Sequence, residues 1–219
     1  MGKEILTTHQ KALLNELSSQ DFIRDFYLTG GTALAAFYLN HRYSEDLDFF
    51  TQEENIDLLT LTTALESLKQ KLAIQKIDFQ KSLNRNLFFV TIEGQTTKIE
   101  FTYFPFGSIE KGPTENKLAV DSLLDIAVNK VFTIYQQPRA RDFVDLFFIV
   151  REKNYTFAEL IAKAKIKFDW HIDPLNLGSQ MMRMKDLKDY PRMIKKLEEA
   201  KLADFFIKEA KKLKGAIVD

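Results

Sequence analysis

The sequence predicts an α+β protein: a mixed sheet with flanking helices, followed by a C-terminal helical region. Three observations carry this reading. Residues 26–104 hold several short apolar runs, some with the two-residue alternation of strands, interrupted by helix-period stretches. Pro105, Gly107, Gly112 and Pro113 then punctuate the chain. Beyond them strand signals fade and helical spacing dominates, which puts a soft boundary near residues 105–120.

The elements are taken in chain order. Residues 8–19 read as a short amphipathic helix. Residues 26–31, FYLTGG, are a brief strand running into a double-glycine turn, and residues 32–40 have helix propensity directly after it. HRYSED reads as a loop, and LDFF, residues 47–50, as a strand. Ile56, Leu59, Leu65, Leu68 and Leu72 give residues 55–72 helical spacing. Strand-like runs come next at 73–80, 86–94 and 97–104, the last two separated by Gly94 and Gln95 as a hairpin turn. Helices are expected over 121–136, opened by Asp121 or a neighbour, and over 139–151, 156–167 and 191–214. Pro174 and Pro191 read as breaks between them.

Composition narrows the chemistry. The 219 residues suffice for one large domain or two small ones, and 19 Phe supply ample core. The absence of cysteine excludes disulfides and thiolate metal sites. His9, His41 and His171 are too scattered for a zinc cage. A metal site must therefore use oxygen ligands, which points to magnesium, manganese or calcium. The N-terminus lacks the apolar run of a signal peptide, and no stretch reaches the roughly 18 apolar residues of a membrane helix, so a cytoplasmic protein with no membrane partner is expected. Net charge is zero but uneven: residues 1–150 hold 15 Lys+Arg against 20 Asp+Glu, and residues 151–219 hold 16 against 11. An acidic front suits a carboxylate metal site, and a basic tail suits phosphate or nucleic acid.

The most informative segment is Gly30-Gly31-Thr32, followed after a spacer by Asp46-Leu47-Asp48-Phe49. Alternation on a strand points Asp46 and Asp48 one way and Leu47 and Phe49 into the core. Two carboxylates this close repel without a cation, so they suit one or two magnesium ions, and losing one acid should relieve the metal-free protein. The glycines let backbone approach phosphate, and the helix that starts at Thr32 offers free N–H groups. Thr32 and Ser44 can add hydroxyl donors. A third carboxylate should come from a neighbouring strand, where Glu100 and Asp78 have the same local pattern.

The stretch Leu28–Phe50 resembles the DNA polymerase β-like nucleotidyltransferase superfamily and, more narrowly, the AbiEii/AbiGii toxin family. It carries a GGTAL element and then Arg42, Ser44, Asp46 and Asp48 as Arg-x-Ser-x-Asp-x-Asp. A second block, Lys130, Arg139 and Arg141-Asp142-x-x-Asp145-Leu146, agrees, and the resemblance spans roughly residues 25–150. It implies a nucleotidyltransferase core over 1–110 and a helical domain over 111–219 packing on its cleft. It favours Glu100 over Asp78, giving Asp46, Asp48 and Glu100 as ligands of Mg2+ or Mn2+ and, with Lys130, as the catalytic set. Gly30, Gly31, Thr32, Arg42, Ser44, Lys130, Arg141 and Asp142 are then the residues that bind a nucleoside triphosphate. The implied activity is that of a toxin in a toxin–antitoxin or phage-defence system. Such a toxin transfers a nucleotide to RNA, the 3′ end of tRNA among the acceptors, and is paired with a cognate antitoxin. Protein AMPylation and an inactive binding module are the competing readings.

Lys130 lies among apolar helix residues, so it reads either as a point charge for the triphosphate, removable without unfolding, or as a snorkelling surface lysine. Arg141 and Asp145 sit one turn apart and can pair on the helix surface. Asp142 and Asp145 share a face, where they can instead position Lys130. His41 reads as a solvated loop residue.

Overall fold

The computed structural model describes residues 5–215. The chain forms two compact units: one runs to Tyr38 and again over Tyr43–Ser122, and the other takes Leu39–Arg42 and continues from Leu123.

The first unit is a seven-stranded mixed sheet with helices. Helix α1 (Thr8–Leu17) opens with a reciprocal capping box between Thr7 and Gln10 and buries Leu13, Leu14 and Leu17. Strand β1 (Tyr27–Thr29) leads directly into the short helix α2 (Gly30–Leu34), which continues as a wider π-type turn over Ala35–Leu39. Strand β2 (Leu47–Thr51) precedes α3 (Leu58–Ser67), capped by the Asp57 side chain. Strands β3 (Ile74–Ser82), β4 (Arg85–Ile92) and β5 (Gln95–Tyr103) form a meander. Strands β6 (Thr114–Glu115) and β7 (Leu118–Val120) complete the order β3-β4-β5-β2-β1-β7-β6. The β2–β5 and β1–β7 pairs are parallel and the others antiparallel.

Alternation decides what the sheet buries. Leu47 and Phe49 of β2, with Ile99 and Phe101 of β5, are fully buried on one face. There Phe49 stacks on Phe101 at 5.1 Å between ring centroids, and Phe88 and Phe26 meet the same ring edge-on. Phe50 points to the other face, half-buried against Tyr27 and Phe104. The β4–β5 register pairs Ile92 with Gln95, so the turn residues are Glu93 and Gly94, one position earlier than the sequence pattern suggests. Both have positive φ, 49° and 75°, as the hairpin turn that matches strand twist demands.

The second unit is helical: α4 (Leu123–Gln136), α5 (Ala140–Glu152), α6 (Phe157–Lys167), α7 (Pro174–Met182) and α8 (Glu199–Gly215). Its core joins Val131, Phe143, Leu146, Phe157, Leu160, Leu177 and Phe206, and Phe143 packs edge-on against Phe206 at 4.7 Å. Helix α7 was not expected, because Pro174 reads as a break. Proline tolerates the first helical turn, and Asp173 caps the leucine that comes after it. Helix α8 begins at Glu199 rather than 191. The preceding segment is not helical: Met193 bridges to Arg42, and the Ile194 and Lys195 amides donate to the His41 carbonyl. No helix among the described residues is long and apolar enough to cross a membrane.

Candidate functional site

In the first unit, the parallel β2–β5 register sets Asp48 opposite Glu100 on adjacent strands. Asp78 lies on edge strand β3, two strands beyond β5, where it pairs with exposed Lys76. Strand order therefore separates it from Asp48, and Glu100 is the acid that joins the aspartates.

The glycine turn is fitted to this face. Thr29 of β1 pairs with Asp48, so Gly30 begins its turn beside that carboxylate. Gly30 has φ +72°, and a Cβ there would sit 2.7 Å from Asp48 Oδ2. Both its conformation and its close approach require glycine. Gly30→Ala should cost roughly 2 kcal/mol, from the left-handed backbone alone and then the contact. A thermal melt equal to wild type would contradict this. Thr32 is fully buried and its hydroxyl donates to the Asp46 backbone carbonyl, so it shapes the carboxylate loop instead of facing outward. Ser44 is held from the other side, its carbonyl accepting from the buried Gln10 side chain at 2.8 Å.

The acids converge on a residue that the sequence pattern alone did not single out. Lys98 Nζ lies 3.1 Å from Asp46 Oδ2, 3.6 Å from Asp48 Oδ1 and 3.0 Å from Glu100 Oε2. Arg85 holds Glu100 through two short bonds, 2.7 and 2.6 Å, and Thr102 donates to it at 2.8 Å. Burial opposes ionisation of Glu100, but Arg85, Lys98 and Thr102 outweigh it and lower its pKa from 4.5 to about 2. Burial likewise opposes the Lys98 charge, and Asp48, Glu100 and Asp46 outweigh it, raising Lys98 above its ordinary value. The expectation that removing one aspartate relieves uncompensated repulsion is thus overturned: the metal-free protein supplies its own cations. The signal was present, since Lys98 precedes Glu100 by two residues on one strand and must share its face.

The second unit holds a separate buried network. Arg42 is 3% exposed and binds Asp145 through Nε at 2.6 Å and Nη2 at 2.9 Å. His41, fully buried, reaches the same carboxylate at 2.8 Å. Lys130 bonds Asp142 at 2.6 Å and Asp145 at 2.8 Å, and Arg139 reaches Asp142 at 3.1 Å. Burial resists ionisation of Asp142 and Asp145, yet the surrounding cations hold both below the usual carboxylate range, Asp145 well below. Burial pushes the His41 imidazole down, so it stays neutral and donates to Asp145.

Three expectations change here. His41 is buried, not solvated. Asp145 pairs with Arg42, His41 and Lys130 in the interior, not with Arg141 on a helix surface. Lys130 is neither a surface lysine nor removable without cost, because two buried carboxylates depend on it. Arg42, expected at the nucleotide, directs its guanidinium to Asp145; half-buried Arg141 lies outside this network.

In its mixed sheet, and in the glycine turn set against an Asp-x-Asp strand, the chain is a nucleotidyltransferase. It belongs to the nucleotidyl transferase AbiEii toxin family of type IV toxin–antitoxin systems, whose model matches residues 12–211. The uncharacterised protein aq_aa25 of Aquifex aeolicus (strain VF5) is 30% identical over 166 residues, covering 74% of this chain and 76% of its own. The fold recurs in a candidate nucleotidyltransferase from H. pylori, with TM-score 0.62 and 21% identity over 95% of this chain and 96% of that one. It recurs also in MenT4, a nucleotidyltransferase toxin from Mycobacterium tuberculosis H37Rv, with TM-score 0.57 and 14% identity over 93% and 82% of the two chains.

Proposed function

We propose that this nucleotidyltransferase toxin transfers a nucleotide from a nucleoside triphosphate to RNA, using Mg2+ or Mn2+ held by Asp46, Asp48 and Glu100. The observation that carries this is the convergence of three carboxylates, from β2, its leading loop and β5, around one positive charge. Hard oxygen donors of this kind fit a hard divalent cation. Among the described residues, no three acids or histidines stand close enough to hold a metal as they are. Lys98 lies between the acids, 3.0–3.6 Å from an oxygen of each. The donor chemistry, three carboxylates, fits a hard divalent cation.

When bound, such an ion neutralises the triphosphate and lowers the pKa of the acceptor hydroxyl. The remaining work belongs to the chain. Thr32 and Gln10 hold the loop that carries Ser44 and Asp46. The Gly30-Gly31-Thr32 turn presents backbone N–H groups to phosphate. Arg85 and Thr102 keep Glu100 ionised and oriented. Asp142 orients Lys130, bonding its ammonium at 2.6 Å.

An RNA acceptor is favoured by the 16 Lys+Arg against 11 Asp+Glu over residues 151–219. The 3′ end of tRNA is one such acceptor, and a cytoplasmic location, a cognate antitoxin and a role in phage defence accord with the family. Incubation with each labelled triphosphate, magnesium and total cellular RNA should put label into RNA, with substrate affinity falling steeply as salt rises. Label in protein, with a flat salt response, would replace RNA by a protein acceptor.

A further inference from the structure

Lys98 has a position that a lysine kept only for stability would not need. Its ammonium is within 3.6 Å of an oxygen from each of three acids drawn from two strands and a loop. The three are not equally committed. Glu100 is 5% exposed, and its two oxygens already accept from Arg85 and Thr102 as well as Lys98. Asp46 and Asp48 keep 29% and 22% of their side chains exposed, so an incoming ion meets them first. Lys98 itself is 21% exposed, on a flexible four-carbon stem that can swing to solvent.

Charge balance decides between addition and exchange. The three carboxylates with Lys98 and Arg85 carry a net charge of minus one. Adding a divalent ion while the ammonium stays leaves a surplus positive charge and two cations in contact. Exchanging the ammonium for the ion brings the cluster to neutrality. Like charges at this separation in a half-buried setting repel strongly, so exchange is the favoured course.

We infer that Lys98 is a built-in counter-cation of the carboxylate site and that a divalent ion enters by displacing its ammonium. This rests on the metal-dependent reading of the three acids and adds to it a residue that sets metal affinity. In the metal-free protein Lys98 holds the acids together; in the loaded protein it stands aside, tethered two residues from Glu100.

The test uses Mn2+ alone, with free ion measured by electron paramagnetic resonance, on the full chain of wild type, Lys98→Met and Asp48→Asn. Lys98→Met should bind Mn2+ at least ten-fold more tightly than wild type, and Asp48→Asn more weakly. Equal affinity of Lys98→Met and wild type, both tighter than Asp48→Asn, would overturn the displacement and leave the metal site standing. Binding of all three no tighter than to an unrelated protein would overturn the metal reading and this inference with it. Should Lys98→Met not fold, wild type alone decides. Amine labelling of Lys98, read by peptide mass spectrometry, should quicken when Mg2+ is added. Unchanged labelling at saturating Mg2+ would overturn the inference.

Discussion

Asp48→Asn is expected to lose nucleotide transfer by a hundred-fold or more while its metal-free melting temperature stays close to wild type. Transfer falls because the amide keeps the shape of the side chain but loses the charge that a hard cation requires, and losing one preorganised electrostatic group costs about this much. Stability is little changed because Asp48 sits among opposing charges: Lys98 at 3.6 Å attracts it, while Asp46 and Glu100, held by the same ammonium, repel it. Because these contributions oppose one another at a partly exposed group, their balance should lie within about 1 kcal/mol. Magnesium with triphosphate should raise the wild-type melting temperature and leave the variant's unmoved. Transfer that persists in Asp48→Asn, or a melt far below wild type, would make Asp48 a structural acid and remove the core of the proposal.

Asp145→Asn should act in the opposite way, through the fold. Asp145 is fully buried and receives Arg42, His41 and Lys130. Its neutral replacement leaves two buried cations undercompensated, a change that costs about 3–5 kcal/mol and lowers the melting temperature by roughly 10 °C or more. The pH dependence has a fixed sign. Asp142 and Asp145 are both held below the usual carboxylate range when folded. They therefore contribute stability that is complete above the unfolded carboxylate pKa and lost as pH falls through their folded values. Acid titration of wild type should show this loss, and Asp145→Asn should show a shallower one. An Asp145→Asn melt within a degree or two of wild type would mean the ion pairs contribute nothing net.

Legibility in the sequence tracked the range of the interactions involved. Strand β5 announces itself because Ile99 and Phe101 alternate with polar Lys98, Glu100 and Thr102, and β4 because its apolar run Leu87–Val90 is rich in strand formers. Strands β6 and β7, two and three residues long, show no such pattern; they exist because β7 finds β1, some 90 residues away. Asp46 and Asp48 stood out by spacing, and Glu100 was preferred to Asp78 on the family resemblance; strand order agrees, setting Asp48 opposite Glu100 and leaving Asp78 two strands beyond β5. Lys98 was missed because a lysine between polar threonines and a carboxylate reads as surface unless its strand neighbours are known. His41 and Arg42 were misplaced for a similar reason: their partners lie far along the chain.

The distance along the chain between these partners bears on how the molecule is made. Arg42 and Asp145 are 103 positions apart, and His41 and Asp145 are 104. During synthesis the segment Leu39–Arg42 emerges long before α5 exists to receive it, so the second unit cannot close until the ribosome has passed residue 145. Such a closure is a long-range step with a substantial loop-entropy cost, the kind that slows folding. A fragment starting at Leu123 would carry Asp145 without Arg42 or His41, and one ending at Ser122 would carry both without Asp145. The helical unit is therefore not separable by a single cut, and its folding is tied to continuity with the strand-rich part of the polypeptide.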